Sequence, residues 1–72
     1  MKGERLLDYI QTELLDIIAL KQLNNEKVPD LSSDVILALS ESILFEWQEL
    51  GDPLEDLENM IKWNLDQHII HA

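Results

Sequence analysis

Apolar residues in the first third of the chain recur in threes and fours. Leu6, Leu7, Ile10, Leu14, Ile17 and Ile18 fall on one side of a helical projection, with Asp8, Thr12 and Asp16 on the other. That period belongs to an amphipathic α-helix and predicts one over about residues 4–23. Tyr9, Leu15, Leu20 and Leu23 lie outside the stripe, which is more apolar surface than one seam requires. Asn24 and Asn25 close the helix, because asparagine tolerates the left-handed backbone that ends one. Pro29 holds Val28 extended in the connector that follows.

Val35–Leu50, VILALSESILFEWQEL, is the least polar run in the chain. Ile36, Leu39, Ile43, Trp47 and Leu50 form one stripe, Leu37 and Leu44 a second, and Phe45 and Ala38 sit on a third side. The β-branched start suits a strand over Val35–Leu39, but helical spacing continues to Leu50, so a helix is predicted over about residues 32–50. Ser32 is its N-cap, and Asp34 faces the helix dipole from the first turn. A helix apolar on more than one side is central to its fold. Gly51 stops it.

Asp52-Pro53-Leu54-Glu55 then reads as a helix start. Asp52 serves as N-cap, Pro53 takes the first helical position, where no amide donor is required, and Glu55 completes a capping box. The third helix, predicted over about residues 53–70, places Leu54, Leu57, Ile61, Leu65 and His68 or Ile69 on one stripe, with Met60, Trp63 and Ile70 off it. Its short link to the second helix makes the two antiparallel neighbours. The expectation is an all-α chain, one domain over residues 1–72, folded as a three-helix up-down-up bundle. No internal repeat occurs, and the heptads are too few for an extended coiled coil.

Length and charge extend this picture. A chain of 72 residues buries only about 60% of its unfolded surface, and domains of this size commonly add disulfides, a metal or a partner subunit. Cysteine is absent, which removes disulfides, thiol catalysis and thiolate metal sites together. Self-association is the natural supplement, and Tyr9, Leu20, Leu23 and Ile70 are the expected homodimer interface. The formal charge is −10, and it is uneven. Residues 1–27 carry five acids against four bases, whereas residues 28–72 carry ten acids and a single base, Lys62. Nucleic acid and anionic lipid are therefore excluded as direct ligands, since both carry phosphate charge. Acids interrupt every apolar run near the start, so no secretory signal is read there. No run approaches the ~20 residues that cross a bilayer, and a cytoplasmic location is expected.

The most pointed chemical feature is acidic. Glu46, Glu49, Asp52, Glu55, Asp56 and Glu58 surround the turn between the second and third helices, and no Lys or Arg occurs from Val28 to Ile61. Such a corner docks on a basic surface and imitates a phosphate backbone in outline. Its plain alternative is a solvated face with acids placed well at a helix N-terminus. Phe45 and Trp63 add aromatic surface of the kind enriched in interfaces. His68 and His71 share a helical spacing of three, but with one carboxylate near them they read as imidazoles at a helix C-terminus rather than metal ligands. Ser32, Ser33, Ser40 and Ser42 have no histidine or lysine close in sequence, the Glu55–Asp56 pair looks solvent-facing, and two glycines make no phosphate loop. No cofactor is expected. The function expected is that of a small non-enzymatic interaction module, a regulator or inhibitor binding a protein partner's basic surface. An immunity-type protein or antitoxin neutralising a cationic toxin needs the same surface; a metal protein or enzyme is the weaker alternative.

Overall fold

The computed structural model of the chain describes residues 2–70, with side chains from Arg5 onward. It consists of α1 (Lys2–Leu23), α2 (Ser33–Glu49) and α3 (Leu54–Ile70), and every pair of helices is in contact. The result is the expected three-helix bundle, 35 × 20 × 20 Å along its principal axes. Helix bounds differ from the sequence reading by a residue or two.

The first two helices end in the same way. Asn25, at φ 61°, turns the chain so that its amide donates to the Gln22 carbonyl (3.1 Å), while the Glu26 amide donates to that of Lys21 (2.9 Å). Gly51, at φ 91°, repeats the pattern: its amide donates to the Gln48 carbonyl (3.1 Å) and the Asp52 amide to that of Trp47 (3.2 Å). These paired bonds satisfy carbonyls that a helix end leaves without intrahelical partners. At the start of α2, the Ser32 hydroxyl accepts the Val35 amide at 3.3 Å from an extended backbone, as its sequence position predicted.

The start of α3 departs from the capping box. Asp52 lies at φ 56°, in the left-handed region rather than the extended backbone of an N-cap. Its amide is committed to closing α2. Pro53 anchors the turn instead. Its carbonyl accepts both the Asp56 amide and the indole Nε1–H of Trp47, each at 2.9 Å.

Ile10 and Leu14 from α1, Ile36, Ile43 and Trp47 from α2, and Leu57, Ile61 and Leu65 from α3 form the buried core. Three residues of the predicted stripes are exposed: Leu37 at 39% on the second stripe of α2 and, at the hairpin turn, Leu50 at 63% and Leu54 at 76%. The chain leaves the bundle between Glu49 and Leu54, so the stripes ending in Leu50 and beginning at Leu54 run past the end of the core. Ser40 is the converse case, fully buried in the seam, where its hydroxyl donates to the Ile36 carbonyl at 2.7 Å. No buried side-chain polar atom among the described residues lacks a partner.

Polar contacts tie α1 to α3 at two heights. The Tyr9 hydroxyl donates to Glu58 Oε1 at 3.2 Å, and Lys21 Nζ lies 3.2 Å from Asp66 Oδ1 and 3.7 Å from Glu26 Oε1. Burial first, then the Glu13 and Glu58 carboxylates, push the Tyr9 phenol above its ordinary value of 10.0. The hydrogen bond to Asp66 is the main cause holding the Lys21 ammonium above 10.5, against an opposing desolvation. Among the described residues, no helix is long and apolar enough to cross a membrane.

Candidate protein-binding surface

The outer side of the α2–α3 hairpin carries the candidate site. On α3, Asp56, Asn59, Met60, Trp63 and Asn64 repeat at intervals of three and four, which places them on one helix face beside the core positions. On α2, Glu46 and Leu50 stand one turn apart. These seven residues line a groove of about 470 Å³. A second depression of about 330 Å³ lies along α2, lined by Ser42, Phe45, Glu46, Glu49 and Leu50. Glu46 and Leu50 belong to both, so the two make one continuous strip.

The strip has an apolar floor and an acidic margin. Phe45 is 65% exposed and Trp63 61%, and Leu50 and Met60 lie between acids rather than under them. Glu46, Glu49 and Asp56 supply the negative charge, and no Lys, Arg or His lines either depression. The Asn64 side-chain amide donates to the Met60 carbonyl at 2.7 Å, which fixes that side chain on the groove wall. Exposed indole and phenyl rings beside uncompensated carboxylates can take up a cationic, partly apolar surface. The rings provide burial and cation–π contact, and the acids provide attraction at a distance.

The structure divides the six acids of the predicted corner. Glu46, Glu49 and Asp56 line the strip, together with Phe45 and Trp63. Asp52 and Glu55 are exposed but line neither depression, and Glu58 accepts the Tyr9 hydroxyl toward α1. Asp56 thus lines the groove and its neighbour Glu55 does not. Leu20, Leu23 and Ile70 are exposed near the opposite end of the bundle, where the Lys21–Asp66 pair joins α1 to α3. Leu15 lies apart from them in a smaller depression of about 190 Å³ with Gln11, Leu31, Ser33 and Ile36.

Sequence reasoning did not assign Leu50, Asn59, Met60 and Asn64 to the site. Leu50 matched the core period, and only the exit of the chain at Gly51 exposes it. The other three were detectable, since they share the period of Asp56 and Trp63. Among the described residues no group of three or more His, Asp or Glu side chains is placed to hold a metal ion; His71 lies outside the described residues. Comparisons with protein-family models, curated proteins and solved structures yield no match.

Proposed function

We propose that this chain is a non-enzymatic interaction module that regulates a protein partner by holding a basic surface of that partner in the α2–α3 strip. The observation that carries the reading is the coincidence of exposed Phe45, Leu50 and Trp63 and half-buried Met60 with Glu46, Glu49 and Asp56 on one continuous strip. Aromatic anchors supply most of the affinity in protein interfaces, while surrounding charge sets partner choice and association rate.

Self-association is proposed for the other end, through Leu20, Leu23 and Ile70; Tyr9 lies apart from them, beside Glu58. The chain exposes 5261 Å², against about 4600 Å² expected of a compact monomer of its mass. The α1 half is nearly neutral, so two copies meeting there avoid the repulsion that the acidic hairpins would impose.

Affinity capture from the native cell, comparing the natural chain with the triple variant Glu46→Lys/Glu49→Lys/Asp56→Lys, tests the main reading. A basic protein should be retained by the natural chain, released by raised salt and absent from the variant's eluate, with helical circular dichroism unchanged. Equal retention by both forms would show that the strip is not the binding surface.

A further inference from the structure

The shape of the strip restricts what conformation its occupant can have. Both walls are helices, with backbone amides and carbonyls already engaged within α2 and α3. An extended peptide would find no sheet edge here, and its own amides would lie unpaired over an apolar floor. A helix brings its backbone bonds with it. The lining residues fit a helix as well. The furrow between the helices is lined by Glu46 of α2 and its capping residue Leu50 on one side and by Asp56, Asn59, Met60, Trp63 and Asn64 of α3 on the other; Ser42, Phe45 and Glu49 belong to the adjoining depression along α2. The α3 set advances by three, one, three and one, a ridge of about two turns, roughly 12 Å along the axis, and Glu46 and Leu50 face it from one turn of the other wall. Two antiparallel ridges with an apolar furrow between them are what a helix of a four-helix bundle meets when it packs on a pair of neighbours.

Charge selects among helices. Glu46 and Asp56 line the furrow, Glu49 lines the adjoining depression, and no cation lines either. The helices of a second copy are poor candidates, because the chain carries fifteen acids and five bases and its α2 and α3 have only Lys62 between them. We infer, building on the proposed function, that the occupant is a basic amphipathic helix of the partner. It lays leucine-like residues at i, i+3, i+4 and i+7 against Leu50, Met60 and Trp63, with lysines or arginines on its flanks facing the carboxylates. Docking completes a four-helix arrangement on the hairpin.

The full chain is titrated with a peptide of about 18 residues, long enough to hold a helix once bound, built from leucine, lysine and glutamine with leucines at that spacing. A scrambled peptide of identical composition is the control. Trp63 reports directly, because the second tryptophan, Trp47, is buried in the core. The amphipathic peptide should shift Trp63 emission to the blue, gain helical circular dichroism on binding, and bind at least about tenfold more tightly than the scrambled one. Trp63→Ala, at an exposed position, should weaken it by about tenfold or more. Amide shifts in the labelled chain should concentrate at residues 42–50 and 56–64. Equal binding of the two peptides overturns the helical occupant while leaving the acidic-surface reading in place, since their charges are identical. Binding by neither peptide at low salt overturns both.

Discussion

Trp47→Phe removes the bond that joins the core to the α2–α3 turn. The indole is 3% exposed, and its Nε1–H donates to the Pro53 carbonyl at 2.9 Å. Losing one such bond costs a net of about 1 kcal/mol. The figure stays at that level because the Pro53 carbonyl keeps a second donor, the Asp56 amide, and is not left orphaned. Phenylalanine also vacates much of the space of the outer, six-membered part of the indole, and a cavity of that size in the core adds roughly 1–2 kcal/mol. The sum, about 2–3 kcal/mol, is a large share of the roughly 4–11 kcal/mol that a domain of this length holds in total. With about 4–8 °C lost per kcal/mol, the melting temperature should fall by some 10–20 °C. Thermal melting followed by far-ultraviolet circular dichroism measures it, and a urea titration gives the free energy directly. A fall of less than about 3 °C would show that the turn is held by its backbone bonds alone. The variant also leaves Trp63 as the single tryptophan, so its emission should be that of a water-exposed indole.

Other substitutions separate the remaining contributions. Ser40→Ala should be neutral or slightly stabilising in chemical denaturation. The Ile36 carbonyl keeps its intrahelical amide and alanine is the better helix former; a loss above about 1.5 kcal/mol would mean that the hydroxyl does more than satisfy itself. Gly51→Ala should cost about 1 kcal/mol, because φ 91° strains any L side chain although nothing lies within 4 Å of the added Cβ. An unchanged urea midpoint would show that the turn relaxes. The folded chain holds the Tyr9 and Lys21 protons more tightly than the unfolded chain does. Their contributions are therefore complete below the ordinary values of 10.0 and 10.5 and are lost as pH rises through the higher folded values. Urea midpoints should drop across this alkaline range, less so in Tyr9→Phe/Lys21→Met, and identical profiles would refute the assignment. Sedimentation equilibrium should give a dimer for the natural chain and a monomer for Leu20→Lys/Leu23→Lys; a natural chain that is monomeric at high micromolar concentration removes the proposed interface.

Periodicity made the bundle legible because each helix carries its own stripe and its own stop. Asn25 and Gly51 marked two helix ends by residue type alone, and Ser32 marked a start, since these depend on backbone chemistry within a few positions. Asp52 misled because two local rules competed for one residue. Its amide closes α2 and its backbone is left-handed, whereas capping α3 called for an extended one. Leu50 and Leu54 misled because periodicity tells which way a side chain points but not whether anything stands opposite. The acidic corner was visible as a run of charge, yet its division into groove and α1 side depends on how α3 is rotated in the bundle. Glu58 faces Tyr9, and Asp56, two residues earlier, faces Trp63's groove.

The two connections of this bundle differ in how much alteration they tolerate. Residues 24–32 cross the end remote from the groove, and doubling such a segment raises its closure entropy by only about 0.6 kcal/mol. A tag, a cleavage site or a natural insertion placed after Asn25 leaves the strip as it is. Between Glu49 and Leu54 there is no such latitude. One added residue there breaks the paired bonds of Gly51 and Asp52, moves the Pro53 carbonyl away from Trp47, and shifts α3 against α2 by part of a turn. The lining residues all fall between Ser42 and Asn64, so the whole site is written in one uninterrupted stretch whose single hinge must keep its length. Variation in length among related chains should therefore gather in the first connection and spare the second.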